Sequence, residues 1–286
     1  VSVVVALATL LVAGLPMALA IDRSARGPAL IGLAFLYGSG AVYLIELLLA
    51  LAGVPWSALL VTILLLAIAG ASASLRMLRP PAAAPAAPPT TIGARGALPV
   101  DVLTLLVVIS QGFVTTVAPP WSWDFWAIWG LKGRVFFEAR TIDWRFLESR
   151  WNDFAHPDYP LLLPLNYAHA ALLGGAWNDR WLGLYGLAYA IALLLIVRGL
   201  IAEECGPVVG AVAALAASAF ALSPWVGLAD GPLIAFAGAA LLVLRRAVLR
   251  DDPPEARGDL AQRLVPGDLG ELPAPLRPDT AARDQD

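Results

Sequence analysis

Apolar residues run along this chain in unbroken blocks, not at the two-residue period of a half-buried strand or the 3.6-residue period of a surface helix. The blocks cover residues 1–20, 28–53, 56–75, 98–117, 181–200, 207–222 and 232–244. A block of about 20 residues wound as an α-helix crosses the ~30 Å hydrocarbon layer of a bilayer. The pattern predicts an all-α, polytopic transmembrane helical bundle with seven spans.

An eighth block, 160–175, would reach only ~24 Å as a helix and contains Pro160, Pro164, Asn166 and His169. Charge decides its place. If it does not span, Arg23, Arg26, Arg76, Arg79, Arg95, Arg198, Arg245, Arg246 and Arg250 all fall on one side, which the positive-inside rule makes cytoplasmic. If it spans, Arg245 and Arg246 land opposite the others. The block is therefore expected to be an interfacial or re-entrant helix inside one long external segment, 118–180. Such a segment is tolerated where protein or a wet cavity covers its backbone.

Composition supports the membrane class. Of the 286 residues, 59% are hydrophobic and 14% charged, against roughly 45–50% and 25% in soluble domains. A soluble globular enzyme is excluded. The lone Cys205 rules out a disulfide framework, and two histidines without a cysteine cluster form no recognisable zinc site. Block 1–20 has no basic leading region and is read as a retained span, not a cleaved signal.

Composition also divides the chain. A three-span module (1–76) leads into a Pro/Ala-rich cytoplasmic linker (77–97) that includes PPAAAPAAPPTT at 80–91, a composition favouring extended backbone. The membrane core follows (98–248). Residues 249–286 combine prolines with about a third of all charged residues, and should form a disordered cytoplasmic tail.

In this topology all ten tryptophans lie on the external side, seven of them between Trp121 and Trp177. Indole prefers the headgroup level, so the external segment should form a tryptophan-rich platform on the outer leaflet.

Charged groups in or beside hydrocarbon each need a reason. Glu46, in YLIELLL, is expected to reach the interface, be protonated or pair within the bundle, and Asp101 to complement the start of the fourth helix. In WSWDFWAIWGLKGR, Asp124 sits inside an aromatic cluster. Low-dielectric rings disfavour a charged carboxylate and so favour a general base; the alternative is that Asp124 caps a helix. Lys132 and Arg134 follow two to three turns on, placed to meet a phosphate or to anchor to lipid headgroups. FAHPDYPLLLPL holds His156, Asp158 and Tyr159 on a proline-fixed bend, and Asp230 lies in a short external loop, SPWVGLADGPLIAF. The three external carboxylates Asp124, Asp158 and Asp230 are candidates to converge on one outward-facing cavity.

These features resemble the membrane glycosyltransferases of the GT-C fold, which include protein O-mannosyltransferases and aminoarabinose transferases. In that family an apolar helix leads to a long external loop with an essential acid near its start, similar to Asp124 in WDFWAIW. A Pro-rich entry to a juxtamembrane helix follows, similar to HPDYPLLLPL, and later a short external loop with an acid, similar to Asp230 in LADGPL. The resemblance covers about half of the chain, residues 98–248, with the first three spans as an appended module and the end as that of a shortened relative.

The resemblance implies a polyprenyl-phosphate sugar as donor, used on the external face of a bacterial cytoplasmic membrane, with a lipid, glycan or protein as acceptor. It implies Asp124 as the residue that deprotonates or orients the acceptor. Lys132, Arg134, His156, Asp158, Tyr159 and Asp230 are candidates to bind substrate. No cofactor is expected, a divalent metal stays open, and the partners are membrane lipids, not nucleic acid. Two rivals remain: a noncatalytic subunit binding lipid-linked sugars, and a transporter using Glu46 and Asp230.

Overall fold

The structure, a computed structural model, describes residues 2–22, 25–78, 92–118, 120, 122–222 and 229–251. The Pro/Ala stretch 80–91, Trp121, Trp225 and the tail beyond Asp251 lie outside the described residues, and so do the expectations of an extended linker and a disordered tail.

The described residues form helices joined by turns. In chain order they are α1 (Ser2–Ile21), α2 (Gly27–Leu51), α3 (Ala58–Leu78), α4 (Ile92–Val117), α5 (Gly130–Ala139), α6 (Trp144–Glu148), α7 (Leu162–Gly174), α8 (Gly183–Cys205), α9 (Pro207–Ala221) and α10 (Asp230–Asp251). Six of them, α1 to α4, α8 and α10, are long and apolar enough to cross a membrane. The α9 helix has 15 residues, about 22 Å of rise, which is short for a full crossing. Large apolar side chains such as Val12, Leu59, Phe113, Phe220 and Leu241 face outward. The chain is a multi-pass membrane protein.

In a bilayer apolar burial does not drive helices together, so close packing through small residues takes over. A Cβ on Gly14 of α1 would lie 1.8 Å from the Ala34 carbonyl oxygen, and one on Gly38 of α2 would lie 1.9 Å from that of Leu10. These two glycines let the α1 and α2 backbones touch. At the other face of α2, a Cβ on Gly32 would lie 2.3 Å from the Ala192 carbonyl oxygen of α8.

Packing groups Val1–Val243 as one unit. Within it α2 lies against α1, α3, α7 and α8, so the helices of the first 76 residues share one core with those that follow. A second unit, Leu244–Asp286, is described as far as Asp251 and is helical there.

The short block 160–175 forms α7, and every residue from Leu163 to Leu172 is buried. It starts two residues after Pro160. Pro164 sits in its first turn, where a missing N–H costs no helical hydrogen bond. It stops at Gly175, whose φ of +71° closes the helix as glycine does without steric cost. The α7 helix rests against α1, α2 and α5, so protein encloses it, the condition under which a non-spanning helix is tolerated at membrane depth.

Upstream, Ser122 Oγ accepts the Phe125 N–H at 3.1 Å and starts a π-helical turn, Phe125–Trp129, that runs directly into α5. The backbone N–H of Trp56 donates to the Arg140 carbonyl at 2.6 Å. This bond ties the segment after α4 to the turn between α2 and α3 and puts both on one side of the bundle.

Two sequence expectations change here. Asp101 is not at the start of α4 but nine residues beyond Ile92, because the helix begins earlier than its apolar block. Its carboxylate receives Arg198 of α8 in a two-pronged contact, Nε at 2.8 Å and Nη2 at 3.0 Å. Trp56 is not an interfacial anchor. It is 2% exposed, and its indole N–H donates to the Glu46 carbonyl at 3.0 Å.

Candidate functional site

The bend between residues 155 and 162 organises the segment between α4 and α8. His156 has φ +49°, a left-handed backbone that costs an L-residue ~1–2 kcal/mol. Pro157 follows it and disfavours right-handed helix geometry at His156. The His156 carbonyl accepts two donors, the Tyr159 N–H at 3.0 Å and the Lys132 ammonium from α5. Long-range contact thus holds a conformation that local sequence alone would not.

Aromatic rings close over the lysine. The His156 imidazole stacks on Tyr159 with centroids 4.5 Å apart, and Tyr159 stacks on Trp129 at 5.5 Å. The Lys132 Nζ sits 5.5 Å from the Trp129 ring centre and 5.8 Å from that of Tyr159, within cation–π range. Lys132 and Trp129 are buried, whereas His156, Asp158 and Tyr159 are exposed. Burial lowers the Lys132 ammonium to about 8, and the nearby Asp158 carboxylate opposes that shift. At neutral pH the group is still mainly charged. An ammonium has three donors, and the His156 carbonyl takes one.

Four of the residues singled out from sequence, Lys132, His156, Asp158 and Tyr159, therefore meet in one place, joined by Trp129. The other three stand apart. Arg134 is exposed and pairs with Glu138 at 2.8 Å across one turn of α5. Asp230 is exposed in the first turn of α10. Asp124 is exposed, as are Trp123 and Trp126 beside it, and its side chain caps nothing; the cap is Ser122. Eight residues of helix, about 12 Å of rise, separate Asp124 from Lys132. Among the described residues no hydrogen bond joins Asp124, Asp158 and Asp230. Of the other tryptophans between α4 and α8, Trp144 and Trp151 are also exposed.

A second polar group includes Glu46, for which pairing within the bundle is one of three sequence expectations, but its other members are not placed together from sequence. Ser39 and Glu46 of α2, Asn166, Tyr167 and His169 of α7, and Tyr185 and Tyr189 of α8 are all fully buried. Their spacings on each helix, seven, three and four residues, put Ser39 with Glu46, Asn166 with His169 and Tyr185 with Tyr189 on common faces. That periodicity was the available signal, masked because the residues are scattered through apolar runs on three separate helices.

Comparison with protein-family models, with curated proteins and with solved structures found no match to this chain.

Proposed function

We propose that the chain is a membrane glycosyltransferase that moves a sugar from a polyprenyl-phosphate donor to an acceptor on the external face of a bacterial cytoplasmic membrane. In this reading α9 counts as a seventh, short span and the tail is cytoplasmic. The observation that carries it is the Lys132 ammonium beneath the His156–Tyr159–Trp129 stack: a cation under an aromatic rim, on a segment joined to the ends of membrane helices. Such a site suits a phosphate at headgroup level, with ring faces for the isoprenoid or sugar.

The chemistry follows from the charges. The acceptor hydroxyl forms a bond to the anomeric carbon as the bond from that carbon to the phosphate oxygen breaks. The electron pair leaves with the lipid phosphate, and the hydroxyl proton passes to Asp124. Lys132, with His156, offsets the charge that grows on the departing phosphate, while Asp158 keeps the lysine charged. The acceptor is a lipid, glycan or protein hydroxyl, and the reaction as written uses no cofactor.

One observation favours a second reading, a noncatalytic subunit that binds lipid-linked sugars. Asp124 is exposed and nothing among the described residues fixes its carboxylate, whereas a positioned base needs such support. The full chain in lipid nanodiscs, supplied with radiolabelled polyprenyl-phosphate hexose and membrane acceptors, separates the two. Transfer is expected, with D124N retaining donor binding and losing transfer, and K132M losing donor binding. Equal transfer by D124N, or binding without any transfer, overturns the catalytic reading; no binding overturns both.

A further inference from the structure

The interior of the helix bundle holds an ionisable pair that the outer site does not use. His169 Nδ1 of α7 lies 3.7 Å from Glu46 Oε1 of α2, with both side chains fully enclosed. Neither carboxylate oxygen and neither ring nitrogen has a hydrogen-bond partner, and the same holds for Asn166 Oδ1 and the hydroxyls of Tyr167 and Tyr185. The atoms lie in the interior where α2 packs on α7 and on α8, and the Tyr167 and Tyr185 rings meet there edge to face at 5.6 Å. Asn166 spends its amide hydrogens on the carbonyls of Leu162, at 2.8 Å, and Ser39, at 3.4 Å. Buried polar groups in native folds are paired, so this concentration of unpaired ones on three packed helices points to something they hold.

We propose that Glu46 and His169 form an internal proton-binding site, the pair sharing one proton within a network of bound water that Asn166, Tyr167 and Tyr185 complete. With one proton the net charge of the pair is zero, whichever partner carries it. Removing that proton leaves a bare carboxylate beside a neutral ring, and adding a second leaves an imidazolium beside a neutral acid. An uncompensated charge among apolar helices is strongly unfavourable, so the singly protonated pair is the stable state. The free hydroxyls and the amide oxygen provide the two to four polar partners that a buried water needs.

Among the described residues the charged groups on the helices around the pair lie elsewhere; on α10, which packs by Phe236 against Tyr189, Asp230 is in the first turn and Arg245 and Arg246 are nine and ten residues beyond Phe236. Tyr189 of α8 is bound to Ser39. Arg198 of α8 is held by Asp101, and Glu203 and Glu204 lie in the last turn of α8, about 27 Å of helix from Tyr185. On α5, Lys132 is held at the His156 carbonyl and Arg134 at Glu138. Among the described residues α1 has no titratable side chain, and α3 has Arg76 alone, near the end remote from Trp56. Glu46 is five residues from Leu51, the end of α2 beside Trp56 and Arg140, so the proton exchanges with the side that carries the outer segment. Because α7 begins just after the His156–Tyr159 bend, loss of the proton loosens the helix that seats that bend.

The chain has two histidines, which makes the test direct. The H156Q variant of the 286-residue chain, labelled with 15N-histidine and placed in nanodiscs, reports the His169 ring alone, and infrared difference spectra against E46Q report the Glu46 carboxyl. At pH 7 the expected result is one shared proton: a protonated carboxyl with a neutral ring, or a carboxylate with a doubly protonated ring. Raising the pH should remove that signature, with faster amide exchange in α7 that E46Q does not show. A carboxylate beside a neutral ring at pH 7, or a signature that answers to sodium and not to pH, overturns the proposal. If E46Q does not fold, the ring signal of H156Q and the carboxyl band of the wild-type chain across pH decide alone.

Discussion

The Asp101 carboxylate on α4 and the Arg198 guanidinium on α8 meet through two parallel hydrogen bonds, although 97 residues separate them in the chain. A forked arginine–carboxylate contact is the strong form of ion pair, but both partners keep some solvent exposure. R198A should therefore cost about 0.5–1 kcal/mol of bundle stability, and D101R combined with R198D should recover part of that loss. Unfolding in mixed micelles as a double-mutant cycle measures the coupling.

Stability should rise with pH above about 8 because of Lys132. Burial holds its folded value at about 8, below the ordinary ~10.4 of an unfolded lysine. Below pH 8 both states carry the proton and the full cost of enclosing the ammonium is present. Between 8 and 10.4 the unfolded chain alone keeps it, so stability increases with pH by at most about 1.4 kcal/mol per unit, and above that window the cost is gone. Unfolding curves of K132M, compared with wild type from pH 7 to about 11, should lack this rise; parallel curves would contradict it.

Close helix contact at glycine should be visible in three single substitutions. G14A and G38A drive a Cβ into the facing backbone and should each cost about 1–3 kcal/mol. On α3 a Cβ at Gly70 meets nothing within 4 Å, so G70A should be neutral or stabilise by up to ~1 kcal/mol. Thermal unfolding in one detergent ranks the three.

The left-handed backbone at His156 separates its geometry from its ring. H156G keeps the bend without steric strain and removes the stack on Tyr159, whereas H156V strains the bend by ~1–2 kcal/mol and removes the stack as well. Hydrogen exchange across residues 153–162 should be near wild type in H156G and clearly faster in H156V. Equally fast exchange in both would show that the stacked rings, not the backbone, hold the turn.

The sequence by itself determined the class of this protein. Blocks of about 20 apolar residues can satisfy their backbone only as helices in a bilayer, so a multi-pass helical architecture follows from composition and block length. It also singled out four residues that the fold brings together, because Lys132, His156, Asp158 and Tyr159 are conspicuous polar groups beside prolines and aromatics.

Only the tertiary structure decided which polar groups meet. Glu46 and His169, or Asp101 and Arg198, are far apart in sequence, and no local periodicity fixes how α2 faces α7 or how α4 faces α8. Helix rotation about its own axis depends on contacts with neighbours, here on glycines such as Gly14, Gly32 and Gly38 that admit a neighbouring backbone. Tertiary contact likewise buries Trp56, in the turn after α2, at the Glu46 carbonyl, and leaves Asp124 exposed together with Trp123 and Trp126.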